Sequence, residues 1–287
     1  MLVKILQYVK IEIGVVKMDL LVVDLDKCIK CGRCADVCPT RVIGMGAKGP
    51  VEGERRSCIA CGQCVAVCPT VALDNRKAPL VQQTQVDEKL QIGVEEATQF
   101  LRSRRSVRCY EIQVVEQHKL EQLLDMARLA PTGGNTQGLS YLVISDQDKL
   151  KEITAATVAW MEQEIGSGNA MAQYYVGTVR AFRETGRDVI LRDAPHLVVA
   201  MASEKFARGK ENAHFSFAYA ELYAPILGLG TCWAGFLQMC AFCNWEPLLQ
   251  LLDLPAGLAV AGALMVGYPK YSYPRLVNRN PLQVTWR

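Results

Sequence analysis

The sequence predicts a mixed fold of helices and strands, α/β or α+β, divided into two parts. A cysteine motif occurs twice between residues 28 and 69. A polar stretch without cysteine, residues 81–93, follows as a linker. Helical and strand-like patterns then alternate to the C-terminus, as in a layered domain of both element types. Half of the 287 residues are hydrophobic, so the second part, residues 94–287, can bury a core of its own.

The first part, residues 18–80, opens on Met18-Asp-Leu-Leu-Val-Val-Asp24, which reads as a strand. Cys28, Cys31, Cys34 and Cys38 then form C-x2-C-x2-C-x3-C-P, closed by Pro39. Cys58, Cys61, Cys64 and Cys68 repeat it, closed by Pro69, and Cys-Pro-Thr recurs at 38–40 and 68–70. Three closely spaced thiolates can wrap one face of a 4Fe–4S cube, with Gly32 and Gly62 allowing a tight loop. In this motif the fourth cysteine, pulled away by its proline, ligates the other cube. One cluster is therefore expected on Cys28, Cys31, Cys34 and Cys68, and the second on Cys58, Cys61, Cys64 and Cys38. Zinc sites favour C-x2-C pairs set farther apart. Disulfide frameworks belong to small secreted domains. The segment resembles the bacterial two-cluster ferredoxins.

Residues 1–17 are apolar but broken by Lys4, Lys10, Glu12 and Lys17, too charged and too short to span a bilayer. No small-residue cleavage site follows them. They read as an N-terminal extension, either a mis-assigned start or an extra strand. Oxygen-sensitive clusters and reduced thiols point to the cytoplasm. The net charge of +3 is small and the basic residues are scattered, so neither a nucleic-acid nor a membrane partner is expected.

Beyond the linker the period becomes helical, with Val94, Ala97, Phe100 and Leu101 sharing a face. A second helix is expected over Glu116–Leu129, with Leu120, Leu123, Leu124 and Ala127 inward and Pro131 beyond its end. Tyr141–Ile144 reads as a strand, Asp148–Ile165 as a helix ended by Gly166–Gly168, and Leu197–Met201 as a buried strand. Asn212–Leu229 reads as a long apolar helix interrupted near Pro225. Glu246–Leu252 is a further helix, and Leu258–Val266 an apolar strand ending at Gly267.

No G-x-G-x-x-G follows a strand, so a Rossmann dinucleotide site is unsupported. Four other segments have ligand-binding character. Ser103-Arg104-Arg105-Ser106-Val107-Arg108 gathers forked, permanently charged donors suited to phosphate. Ala130–Gln137 is a loop of small polar residues after a helix. Leu227–Gly235 carries glycines that let backbone approach a flat ring. Val266-Gly267-Tyr268-Pro269-Lys270 is followed by Arg275 and Arg279.

In order and spacing these four segments, from about residue 94 onward, resemble the nitroreductase family of FMN enzymes. The resemblance implies an α+β fold that dimerises with intertwined chains and holds FMN at the dimer interface. By that likeness Arg104, Arg105, Ser106 and Arg108 would hold the phosphate, ribityl chain and ring edge of FMN. Arg279 would complete the phosphate site. Pro131, Thr132, Gly133 and Asn135 would reach the flavin from the partner chain, and Trp233, Ala234 and Gly235 would lie beside the ring. Gly138 and Leu139 stand where many members carry a proline and an aromatic residue.

Together the two resemblances imply an iron–sulfur flavoprotein oxidoreductase. A low-potential electron donor or NAD(P)H would supply electrons. The two 4Fe–4S clusters would load FMN, and a small conjugated acceptor, nitroaromatic or quinone-like, would receive the electrons. No nucleophile is required and no catalytic side chain is assigned. The alternative is a non-enzymatic electron-transfer or redox-sensing module acting on a protein partner. Cys240 and Cys243 form a further C-x2-C, but in an apolar stretch they read as packing. His118, His196 and His214 have no acid partner evident in the sequence.

Overall fold

The computed structural model describes residues 20–53, 57–168 and 172–287. The extension over 1–17, and the start of the first strand at Met18, lie outside the described residues. The chain divides into two compact units, one ending at Lys89 and one running from Leu90 to Arg287.

The first unit is built from two copies of one backbone. Its elements are β1 (Leu21–Val23), the single-turn helix α1 (Arg33–Asp36), β2 (Ile43–Gly46), β3 (Gly49–Glu52), the single-turn helix α2 (Gln63–Ala66) and β4 (Leu73–Asn75). Strands β2 and β3 form a hairpin. Strands β1 and β4 pair antiparallel, with Leu21 opposite Asn75. Gly32 and Gly62 precede the two helices at φ 77° and 72°, where a side chain is strained. Lys30 and Ala60, at φ 56° and 55°, repeat the same bend. Leu21, Val42, Ile43, Val65 and Leu73 form a small core, with Cys64 buried among them.

The second unit begins with α3 (Val94–Ser103), α4 (Gln117–Ala127), β5 (Leu139–Ile144), α5 (Gln147–Gly166) and α6 (Gln173–Thr185). It continues with β6 (His196–Ser203), α7 (Gly209–Tyr223), β7 (Gly230–Trp233), α8 (Gly235–Phe242), α9 (Glu246–Leu252) and β8 (Leu258–Gly267). The four strands form an antiparallel sheet in the order β5-β6-β8-β7. Both faces are covered. Leu197, Val199 and Met201 join a core shared with α5, α8 and α9, while Val198, Ala200 and Ala202 join one shared with α4 and α7. A strand buried on both sides reads as a continuous apolar run, which is how β6 and β8 appear in the sequence. At Gly262 a Cβ would stand 3.0 Å from the Phe217 ring, so the missing side chain sets how closely α7 approaches the sheet.

Several expectations change on contact with the structure. The helix expected over 212–229 stops at Tyr223, and a 3-10 turn over Ala224–Leu227 takes up Pro225 before Gly228 reverses the chain at φ 72°. The glycine-rich stretch after it contains strand β7. At Gly230 a Cβ would stand 2.6 Å from Val107, so the missing side chain admits Val107. Helix α6 was not expected; Tyr175 is its one fully buried residue, with Val179 and Phe182 partly buried against the same core. Helix α3 forms, yet Val94 and Leu101 on its apolar face are 84% and 57% exposed.

Candidate functional site

The cysteines lie where the duplicated backbone turns. Cys28, Cys31, Cys34 and Cys68 line one cavity of about 360 Å³, open solvent included. The fourth cysteine of the second run thus stands with the first three of the other. Among the described residues no group of three or more metal-ligating side chains converges on a single ion. The four thiols are instead distributed along the wall of that cavity. At each fourth cysteine a threonine hydroxyl lies near the sulfur, Thr40 at 3.7 Å from Cys38 and Thr70 at 3.9 Å from Cys68. The Ala72 backbone N–H also donates to Cys68 Sγ at 3.2 Å. Burial pushes both thiols up, but the hydroxyl and backbone donors outweigh it and leave Cys38 and Cys68 below the ordinary range. Donors that favour a thiolate also favour ligation.

The second cysteine loop has a partner that sequence reasoning missed. Asn75 is buried, and its amide Nδ2 donates to Cys58 Sγ at 3.7 Å and Cys64 Sγ at 3.6 Å. Its own Oδ1 accepts from Lys77 N at 2.9 Å, which fixes the amide's orientation. The residue thirty positions earlier is Met45, which offers no donor. The available signal was an asparagine in the second repeat where the first has Met45.

In the second unit the arginine segment runs beside β7. Val107 N donates to Thr231 O at 2.8 Å, and Ser106 bridges Thr231 in a short parallel pairing. Arg104 donates from Nη1 to Glu221 Oε1 at 3.4 Å, and the Trp233 indole N–H donates to Glu221 Oε2 at 3.0 Å. Glu221 is the second residue missed, a buried acid on a helix face read as apolar. Burial pushes its carboxyl up, while the Trp233 and Arg104 partners pull it back in part. Because a guanidinium has five donors, Arg104 keeps others for an anion. Arg105 donates to three backbone carbonyls, of Arg102 at 3.0 Å, Arg104 at 3.1 Å and Arg275 at 2.9 Å. Arg105, Glu221, Thr231, Pro269 and Tyr273 line one open cleft. Arg108 turns back on Ser106 O at 3.3 Å and is exposed.

The loop over 130–137 is docked on the N-terminal half of α7. Gly133 N donates to Asn212 Oδ1 at 3.3 Å, and Asn212 Nδ2 donates to Thr136 Oγ1 at 3.4 Å. Asn135 and Gln137 adopt φ of 54° and 48°, so the loop is tightly folded. Thr132 accepts from Gln137 N at 3.1 Å, and Pro131 is exposed. Asn212 and Glu221 stand nine residues apart on α7, so roughly 13 Å of helix separates this loop from the arginine segment.

Trp233 packs against the rings of His214 at 5.0 Å and Phe217 at 5.4 Å between centroids. Ala234 is buried and its N–H is taken by Ala263 O at 3.0 Å. Gly235 starts α8 and is exposed, with nothing within 4 Å of its would-be Cβ. Arg279 lies exposed in the C-terminal stretch. Cys240 is fully buried and burial pushes its thiol up to about 12, which fits the packing role expected for it. His196 accepts Val115 N on Nε2 at 2.9 Å, and its Nδ1 lies 2.7 Å from Ser145 Oγ.

Residues 101–268 match the profile of the Nitroreductase family, well over half of the chain. The chain belongs to the nitroreductase family. Residues 20–69 of this nitroreductase family member match the 4Fe-4S dicluster domain. A protein of Archaeoglobus fulgidus, named provisionally as an NADH dehydrogenase/NAD(P)H nitroreductase, is 26% identical over 178 residues, covering 62% of this chain and 87% of the relative. The FMN reductase [NAD(P)H] of Bacillus subtilis is 25% identical over 178 residues, covering 61% of this chain and 66% of the relative. A nitroreductase of Desulfitobacterium hafniense solved with bound FMN shares the fold at a TM-score of 0.54 and 18% identity, covering 68% of this chain and all of that one. The Nitroreductase match thus falls within the second unit. No helix among the described residues is long and apolar enough to cross a membrane.

Proposed function

We propose that the protein is an iron–sulfur flavoprotein oxidoreductase that delivers electrons from two 4Fe–4S clusters to FMN and on to a small conjugated acceptor, nitroaromatic or quinone-like. The observation that carries the reading is the cavity lined by Cys28, Cys31, Cys34 and Cys68 in a chain whose larger unit is a nitroreductase. The second cluster is assigned to Cys58, Cys61, Cys64 and Cys38. The boundaries are residues 18–80 for the cluster domain, 81–93 for the linker and 94–287 for the flavin domain. The setting is the reducing cytoplasm, with NAD(P)H or a low-potential carrier as donor.

When bound, FMN supplies two-electron chemistry and the clusters supply one-electron steps. The protein's residues bind and orient. Arg104, Arg105, Ser106, Arg108 and Arg279 supply cationic and hydroxyl donors for a phosphate and the polar flavin edge. Glu221 holds Arg104 and Trp233 in place. Trp233, Ala234 and Gly235 border the ring, with the Gly235 N–H as the candidate backbone donor. Pro131, Thr132, Gly133 and Asn135 complete the site of a second copy. Dimerisation is supported by an apolar stripe on α7 that the unit leaves uncovered, where Phe215 and Tyr219 are exposed one turn apart.

The test is anaerobic purification with iron, sulfide and flavin quantitation, light scattering and an acceptor screen. The reading expects about eight irons per chain, one FMN per chain and a dimer. A fragment beginning near residue 90 should keep FMN and any NAD(P)H-driven turnover but lose turnover driven by a low-potential one-electron donor. Equal donor-driven turnover in both forms would remove the clusters from the route.

A further inference from the structure

We propose that the Cys28–Cys34 loop and the β2–β3 turn form the docking surface for a small, acidic, one-electron carrier protein. The proposal rests on the cluster assignment above. Its basis is a comparison between the two halves of the first unit. Because the cysteine motif recurs at an interval of thirty residues, every position of one loop has a counterpart on the same backbone in the other.

The two loops differ in cover. Cys31 is exposed, whereas its counterpart Cys61 is half-buried. A Cβ on Gly32 meets nothing within 4 Å, but on Gly62 it meets Gln83 Nε2 at 3.1 Å and Ala78 Cβ at 3.6 Å. Gln83 also donates to Gly62 O at 3.5 Å and Ala78 O at 3.2 Å. The chain leaving the last strand therefore lies over the second loop and leaves the first open. Ile29, at the centre of the open loop, is 63% exposed.

The two loops also differ in charge. Lys30 and Arg33 line the first cavity. Lys48 precedes Gly49, whose Cβ would lie 3.4 Å from Cys28 Sγ. The counterparts of these three cations are Ala60, Gln63 and Ala78. Lys27 is paired with Asp24 at 3.0 Å, but Lys30, Arg33 and Lys48 form no ion pair among the described residues. Asp26 and Asp36 are the exposed acids nearby and, like Lys48, lie outside the cavity lining, so the cations that line it, Lys30 and Arg33, have no acid beside them there.

An apolar centre with an exposed thiol and a cationic rim suits a brief encounter steered by charge. The small contact areas of redox pairs fit a surface of this size. In the step itself the reduced carrier loses one electron and the oxidised cluster gains it. No bond forms or breaks and no proton moves.

The test uses the full-length, iron-loaded protein and a reduced acidic ferredoxin as the probe, mixed anaerobically in a stopped-flow instrument. The triple variant Lys30→Ala, Arg33→Gln and Lys48→Ala writes the second half's residues into the first, and at positions 30 and 33 the repeated backbone already carries them as Ala60 and Gln63. At low salt its second-order rate should fall about tenfold or more, and its dependence on ionic strength should flatten. Dithionite should still reduce both clusters to the same extent. An unchanged rate and salt slope overturns the docking surface. Association of the wild type with itself at low salt, abolished in the triple variant, also overturns it and assigns the face to a second copy. Absence of iron from the wild type removes the cluster assignment, and the proposal with it. If the triple variant alone loses iron, Arg33→Gln gives the same comparison with one charge changed.

Discussion

Glu221 accepts the indole N–H of Trp233 at 3.0 Å on one carboxylate oxygen while the other takes Arg104. One acid thereby couples the arginine segment to the end of β7. Removing it should loosen both. In Glu221→Ala the dissociation constant for FMN should rise about tenfold, the equivalent of one charge-assisted hydrogen bond of ~1.4 kcal/mol. Trp233 emission should shift to the red as the indole loses its partner. Glu221→Gln, which keeps an acceptor for the indole, should restore most of both. The assignment is wrong if Ala and Gln variants retain flavin as the wild type does.

Crossed ligation can be read from pairs of substitutions. Cys68→Ser should damage the same cluster as Cys31→Ser, because both sulfurs line one cavity. The double variant should then lose no more than about four irons per chain. Cys68→Ser with Cys61→Ser should lose both clusters. Metal analysis and low-temperature EPR decide between them, and the reverse pattern would refute the crossing.

Asn75 donates to two thiols of the second cysteine run and has no counterpart in the first, so the two proposed clusters should differ. Hydrogen bonds to cluster sulfurs favour the reduced, more negative state and so raise the potential. Asn75→Leu should lower the potential of the cluster on Cys58, Cys61 and Cys64 by something on the order of tens of millivolts. The other cluster should keep its potential. An EPR-monitored redox titration in which both potentials move together would count against a local hydrogen-bond effect.

His196 is buried, and burial alone holds its imidazole below its usual range. The folded chain thus favours the neutral ring, while the unfolded chain binds a proton as pH falls through the ordinary imidazole value of about 6.5. Its penalty is absent above that pH and grows as pH falls, at up to ~1.4 kcal/mol per pH unit. Urea titrations of the wild type and of His196→Gln should diverge in slope between about pH 6.5 and 5.5. Parallel slopes would mean that another group controls acid unfolding.

The cysteine spacing made the first unit legible because ligand geometry constrains sequence directly. Strands β6 and β8 were equally plain, since burial on both faces leaves an unbroken apolar run. The parts that could not be read depend on neighbours distant in sequence. Gly230 is explained by Val107, and Asn212 by a loop some eighty residues earlier. Glu221 sits in a helix whose pattern says only that it packs. Its role appears when Arg104 and Trp233 arrive from elsewhere. Helix α6 went unread although Tyr175, Val179 and Phe182 turn to one core, because Tyr174 and Val176 beside them are exposed and blur the stripe.

The antiparallel pairing of β1 with β4 has a consequence for biosynthesis. Leu21 finds its partner only when Asn75 exists, and the cavity around Cys28 lacks one wall until Cys68 has been made. A nascent chain that has emerged only as far as the first cysteine run holds neither cage. With the crossed ligation proposed above, metal loading would follow completion of the whole small unit rather than proceed run by run, and the ribosome would deliver an all-or-none receptor for iron.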